Sequence, residues 1–214
     1  MIRSLIQVRM GSTRLPGKAL LDLAGKPLIE YVVRAAEGFS HPMLVTPTGE
    51  ENKPLWEWAS KYGIEVFSFH NENDVHERFR LALEYLDGSD NLSDYFFRIT
   101  GDCPLLDPAL GNQLAITADD LGRAIDYATF WNMEGLFPEL IDTNTFLEST
   151  ANDAYEKEHV TSCIYNNDKY LSIYLKGSGT NRKNSIDTYS EYLTLKKALE
   201  MHEGNIDETR QFFL

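Results

Sequence analysis

Ser4-Leu5-Ile6-Gln7-Val8-Arg9-Met10-Gly11-Ser12-Thr13-Arg14-Leu15-Pro16-Gly17-Lys18 opens this chain, and its reading decides the fold. Ser4 to Val8 is a short, mostly apolar run and reads as a strand. Arg9 to Lys18 is rich in Gly, Ser, Thr and Pro and reads as a loop. A loop that follows a strand lets backbone N–H groups and cationic tips converge on an anion. Arg3, Arg9, Arg14 and Lys18 are the charges of this opening, and no acid precedes Asp22. The segment is not a phosphate-binding P-loop. Five residues separate Gly11 from Gly17 where that motif has four, and Ala19 stands where it has the Ser or Thr that holds magnesium. Arg14 can fork onto two phosphate oxygens and Lys18 can neutralise another.

Outward from this segment, short β-like runs alternate with amphipathic helices. Pro27 suits the first position of a helix whose Leu28, Ile29, Val32, Val33 and Ala36 share a face. Met43–Val45, Glu65–Phe69 and Tyr95–Thr100 read as strands, and Asn52–Tyr62 as a helix. Asp74 with Glu77 resembles a capping box, ahead of Val75, Phe79, Ala82, Leu83 and Leu86 at helical spacing. Pro108 starts another helix. Asp126–Thr129, Glu139–Ile141, Tyr170–Leu175 and Asn184–Ile186 are expected strands; Thr143–Ser149 and Tyr155–Asn166 are expected helices. Ser190 caps a last long helix with Tyr192, Leu195 and Leu199 inward. The alternation predicts an α/β fold, a mostly parallel sheet with helices on both faces. Such sheets bind ligands beyond the carboxyl ends of their strands, so the loops after residues 8, 100 and 186 are the places to look.

Two acids stand there. Asp102, in Thr100-Gly101-Asp102-Cys103-Pro104, follows a strand directly, and Gly101 lets a ligand approach the backbone. Asp187, in Ser185-Ile186-Asp187-Thr188, ends another. Mg²⁺ takes one or two protein carboxylates together with phosphate oxygens, so a distant pair of this kind suits it. Cys103, with no His beside it, reads as a small buried side chain. His41, His70, His76 and His202 have no motif around them and read as surface residues.

Composition bounds the partners. The 214 residues hold 20 Lys plus Arg against 33 Asp plus Glu, a formal net charge of −13. That excludes a protein whose main task is gripping nucleic acid or an anionic membrane. A chain of this length buries roughly 70% of its unfolded surface and needs no staple. Two cysteines without metal spacing, no signal-like start and no long apolar run predict a cytoplasmic protein. One domain is expected over residues 1–214.

Taken in order, these segments resemble the CMP-sugar synthetases, the cytidylyltransferases that activate acylneuraminate and 3-deoxy-octulosonate sugars. The likeness is strongest to the branch containing the spore coat polysaccharide biosynthesis protein F. It runs from Ile6 to Lys18, through Leu23-Ala24-Gly25-Lys26-Pro27-Leu28, and returns at Asp74-Val75, Arg78-Phe79 and Arg98 to Leu105. Glu158-His159-Val160-Thr161 and Ile186-Asp187-Thr188 complete it. The resemblance implies the nucleotide-diphospho-sugar transferase (Rossmann-like) fold, with a nucleotide half at about 1–110 and an acceptor and dimerisation half at about 111–214. It implies transfer of CMP from CTP to a sugar acid, with release of pyrophosphate, in surface-polysaccharide synthesis by a homodimer.

Arg9, Met10, Gly11 and Ser12 would wrap the nucleotide with Arg78, Thr100 and Gly101. Arg14 and Lys18 would hold the β- and γ-phosphates, Asp102 and Asp187 would share Mg²⁺, and Glu139 and His159 would face the acceptor. Phe137, in Gly135-Leu136-Phe137-Pro138-Glu139, stands where that branch usually has an Asp, a loss that would change acceptor recognition or remove it. Lys183 stands where an Arg is often found. Tyr189-Ser190-Glu191 replaces a common Pro-Glu-Asp.

Two enzyme alternatives share the fold. A sugar-1-phosphate nucleotidyltransferase typically has a Gly-rich turn where this chain has Gln7-Val8-Arg9-Met10. A glycosyltransferase would show an Asp-x-Asp string, which neither Ser89-Asp90-Asn91 nor Asp119-Asp120 provides. A third reading, motivated by Phe137, is a nucleotide-binding protein with a decayed acceptor site.

Overall fold

The computed structural model describes residues 2–88, 93–122, 124–131, 135–177 and 183–213. Along the chain run β1 (Arg3–Gln7), β2 (Asp22–Leu23), β3 (Lys26–Pro27), α1 (Leu28–Glu37), β4 (His41–Pro47), α2 (Lys53–Lys61), β5 (Glu65–Phe69), α3 (Val75–Asp87) and β6 (Tyr95–Thr100). The second half adds α4 (Pro108–Asp120), β7 (Tyr127–Trp131), β8 (Glu139–Asp142), α5 (Thr143–Glu148), α6 (Ala154–His159), α7 (Ser162–Tyr165), β9 (Ser172–Lys176), α8 (Tyr189–Met201) and α9 (Ile206–Phe213).

One seven-stranded sheet, ordered β5-β4-β1-β6-β8-β7-β9, carries the molecule. β5, β4, β1 and β6 are parallel, β8 alone opposes its neighbours, and β9 is parallel to β7. Side chains alternate across a strand, and here that alternation sorts the core into two layers. Ile6, Leu44, Phe97, Ala128 and Leu140 face a layer built with α1, α2, α4 and α8. Their neighbours Leu5, Met43 and Val45, Phe96, Tyr127 and Ile141 face α3, α5 and α7. The expected sheet with helices on both faces is therefore present.

Strand order reverses direction beside β1: the chain goes outward to β4 and β5, then returns to β6 on the other side. The crevice between the ends of β1 and β6 is the ligand position of such sheets. Gly101 makes it narrow. Its N–H donates to Gln7 O at 2.8 Å, and a Cβ there would sit 2.8 Å from Val8 Cβ. The glycine thus serves the approach of two strand ends, rather than only that of a ligand.

Several local expectations need correcting. Asn184–Ile186 is not a strand among the described residues; one backbone bond, Ile186 N to Asp102 O at 2.8 Å, ties it to the sheet. The expected helix over Tyr155–Asn166 is two helices, α6 and α7. Buried Val160, with φ +54°, breaks it in a conformation costly for a β-branched residue. Pro27 is the N-cap of α1, not its first residue. Thr188, not Ser190, caps α8, with Glu191 completing a reciprocal capping box. At α3 only half of such a box forms. Asp74 Oδ1 accepts from Glu77 N, while the Glu77 carboxylate turns to Arg80. Lys18–Leu20 forms a single 3₁₀ turn, and α9 carries no expectation from the sequence. Most of the expected loop at 177–184, and the string at 89–91, lie outside the described residues.

His76 is not on the surface. It is buried on α3, its ring 4.7 Å from that of Phe146 and its Nε2 3.0 Å from Ser149 Oγ. Ser149 spends its one proton on Phe146 O, so His76 donates from Nε2. Burial lowers its pKa despite the nearby Asp74 and Glu77 carboxylates. The folded state thus binds this proton less readily than the unfolded chain. The resulting stability is full above the unfolded pKa near 6.5 and is lost as pH falls through the folded pKa. Thermal melts from pH 7 to about pH 5 are expected to show a falling melting temperature. His76→Gln is expected to flatten that slope. The depressed carboxylates Glu77, Asp187 and Glu191 lose their contributions only at lower pH.

Candidate active site

Loop 9–17 is folded before any ligand is considered. Leu15 is buried in the core, Gly17 N donates to Met10 O at 2.9 Å, and Met10 N donates to the side chain of fully buried Asn52. Gly17 at φ +72° reverses the chain so that Lys18 points back under the sheet edge. There Lys18 Nζ reaches Asp102 Oδ2 at 2.7 Å, Asp187 Oδ1 at 3.1 Å and Ile186 O at 2.8 Å. The two acids, 85 positions apart, meet because Ile186 N binds Asp102 O. Arg14 Nη2 adds a 2.8 Å contact to Asp187 Oδ1, and Lys183 Nζ lies 2.5 Å from Asp187 Oδ2. Burial opposes the Asp187 charge, but hydrogen bonds from Lys183 and Lys18 outweigh it and hold the carboxyl below its usual range.

A cavity of about 850 Å³ opens over the ends of β1 and β6. Arg9, Ser12, Arg14, Lys18, Arg78, Thr100, Gly101, Asp102 and Asp187 line it. Met10 and Gly11, expected to wrap the nucleotide, do not line it; Met10 instead bonds to Gly17 N and Asn52. Arg9 pairs with Glu72 at 2.8 Å across the mouth. Arg78 is almost wholly buried and its Nη2 donates to Asn71 O and Glu72 O. Burial, helped by the Arg9 charge, lowers its pKa to about 10. Arg78 therefore fixes the 71–74 wall of the cavity. Asn52 and Glu72 were not singled out by the sequence, because neither sits in a motif.

A second cavity, about 860 Å³, lies on the β7–β8 side and shares Arg14, Thr100, Asp102 and Asp187 with the first. Glu139 is at its floor. One oxygen accepts from Arg98 Nη1 at 2.8 Å and Thr161 Oγ1 at 3.0 Å, the other from Tyr127 OH at 2.9 Å. Burial and the Glu139 charge push the Tyr127 phenol well up, so it stays a donor. Phe137 forms part of the wall, with its ring 5.8 Å from that of Phe130. His159 lines neither cavity. Its exposed ring stacks 4.1 Å from Tyr155, and the break at Val160 ends α6 there, so the position expected for it facing an acceptor is not found. Cys103 is buried as expected; burial and the Asp102 charge push its thiol well up, away from a thiolate's role.

Two cavities that meet at a cation-rich pair of carboxylates suit joining one bound molecule to another. Comparison with known proteins agrees. The spore coat polysaccharide biosynthesis protein SpsF of Bacillus subtilis is 28% identical over 90% of this chain and 83% of its own length. The 3-deoxy-manno-octulosonate cytidylyltransferase of Haemophilus influenzae is 31% identical over 79% of this chain and 65% of its own length. A solved cytidylyltransferase from Leptospira borgpetersenii superposes with a TM-score of 0.86 at 24% identity, covering 99% of this chain and 92% of that one, and shows a shared fold. The model of the family described as cytidylyltransferase matches residues 4–212, and the chain belongs to that family of nucleotidyl-transferring enzymes.

Proposed function

We propose that this chain transfers CMP from CTP to a hydroxyl of a sugar acid, releasing pyrophosphate, in the synthesis of a surface polysaccharide. The observation that carries the reading is the junction of the two cavities at Asp102 and Asp187, with Arg14 common to both. The first cavity takes the nucleotide and the second the acceptor, so the α-phosphate lies at the acids. Arg14 and Lys18 take the β- and γ-phosphates, which carry most of a triphosphate's charge. Arg78 holds the nucleotide wall rigid through two backbone carbonyls. Displacement at phosphorus needs positioning and charge neutralisation more than covalent work, and these residues supply both.

The donor set suits Mg²⁺. The Lys18 ammonium stands in for a cation among two carboxylates and a carbonyl, all hard oxygens. Asp102 and Asp187 would hold Mg²⁺, which when bound supplies Lewis-acid polarisation of the α-phosphate. An intact second cavity favours an acting enzyme over a protein with a decayed acceptor site. Two buried, unpaired thiols support a reducing, cytoplasmic setting. Exposed Trp131 on β7 and Tyr174 on the edge strand β9, both also lining the second cavity, support a homodimer. Among the described residues no helix is long and apolar enough to cross a membrane. Pyrophosphate release, measured across the four nucleoside triphosphates with sugar acids as acceptors, tests the reading. CTP is the expected donor.

A further inference from the structure

Among the described residues three cations surround Asp187, and they differ in what else they hold. Arg14 is 65% exposed and touches Asp187 at one oxygen. Lys183 bridges Asp187 and Glu191, both within its own stretch of chain. Lys18 alone among the described residues spans both site acids, and its side chain is only 13% exposed. Its three ammonium protons meet three oxygens, those of Asp102, Asp187 and Ile186. The amine is fully satisfied where it stands. A divalent cation sharing the same two carboxylates would need the same space, and two cations so close repel strongly.

We propose that Lys18 is an internal counter-ion that competes with the divalent cation for Asp102 and Asp187. It gives way when a nucleotide's phosphates draw the ammonium off the acids. The inference rests on the Mg²⁺–CTP reading above and goes further, because it couples the two ligands: each binds weakly alone and tightly once the other is in place. Without Lys18 between them the acids would repel one another, so the lysine also keeps the pair assembled. The triphosphate, with close to four negative charges, offers the ammonium a stronger partner. By linkage the cation then tightens CTP by the same factor that CTP tightens the cation.

The test is Mn²⁺ binding, followed by electron paramagnetic resonance without nucleotide, to the full chain and to Lys18→Met and Lys183→Met. Each variant loses one positive charge beside Asp187, but only the first loses the bridge. Lys18→Met is expected to bind Mn²⁺ about tenfold more tightly or better, in the usual range of coupling between sites. Lys183→Met is expected to stay within about threefold of the unsubstituted chain. A measurement on the unsubstituted chain does not depend on how the variants fold. Acetylation of Lys18, read by mass spectrometry, is expected to speed up at saturating Mn²⁺ and to slow with α,β-methylene-CTP. Equal tightening in both variants, no tightening in Lys18→Met, or Lys18 labelling indifferent to Mn²⁺ would each overturn the proposal. Calorimetry with CTP separates the layers. If CTP binds and the Mn²⁺ pattern fails, only the Lys18 inference falls; if CTP does not bind, the reading beneath it falls and the coupling with it.

Discussion

Asp102→Asn is expected to lower turnover about 10²- to 10³-fold, the scale of losing one preorganised group that stabilises charge in a transition state. Asn keeps the shape and one acceptor oxygen for Lys18 Nζ, now 2.7 Å from Asp102 Oδ2. It removes the negative charge that would hold Mg²⁺ at the α-phosphate. The backbone bond from Ile186 N to Asp102 O does not involve the side chain and should persist, so Asp187 stays in place. The melting temperature is therefore expected to move by no more than about 2–4 °C, equivalent to about 1 kcal/mol in a chain this long. Turnover and thermal melts on the same preparation separate the two effects. Activity within about threefold of the unsubstituted enzyme would remove Asp102 from the chemistry.

Gly101→Ala is expected to cost about 1–3 kcal/mol of stability, the range for overpacking a close contact. The new Cβ would meet Val8 Cβ at 2.8 Å, Val8 Cγ2 at 2.9 Å and Gln7 O at 3.1 Å. None of these is the far end of a flexible side chain, so the ends of β1 and β6 must part. Parting them displaces Asp102 from Lys18 and widens the nucleotide crevice. CTP affinity should fall together with stability. Gly88→Ala is the matching control. Gly88 caps α3 with φ −60°, and an added Cβ would make only ordinary contacts, 3.6 Å from Glu84 O. Denaturant melts are expected to leave that variant near the unsubstituted chain, while a Gly101→Ala chain equally stable would show that the strand ends are not in contact.

The fold was legible where burial and periodicity act together. Leu5 and Ile6, Phe96 and Phe97, and Ile141 and Leu140 alternate between two core layers, and that alternation is written in the sequence. The Lys18, Asp102 and Asp187 site was legible as three segments but not as an assembly. Its assembly rests on the bond between residues 186 and 102 and on Lys18 bridging both acids, contacts that no local pattern encodes. The same bond misled the secondary-structure reading, since an apolar Ile186 that packs under the sheet edge looks like a strand residue. Thr188 with Glu191 was a readable capping box, and Ser190 masked it by being a good cap itself. Val160 gave no signal at all, because a β-branched residue at φ +54° is held by tertiary burial against its own preference. Arg78 shows a different limit: the resemblance puts it in the nucleotide pocket, which it lines, but gives no sign that its Nη2 is committed to Asn71 O and Glu72 O. His76 lacked a motif and so read as surface, although α3 turns it inward beside Phe79 and Phe146.

The most direct test of the account is the product itself. The chain is incubated with Mg²⁺, each nucleoside triphosphate in turn, and a panel of sugar acids and sugar 1-phosphates, and the products are weighed by mass spectrometry alongside pyrophosphate. The account predicts a CMP-linked sugar acid with one pyrophosphate per product, from CTP in preference to ATP, GTP or UTP. A nucleoside diphosphate sugar made from a sugar 1-phosphate, or preferred use of another nucleotide, would contradict it.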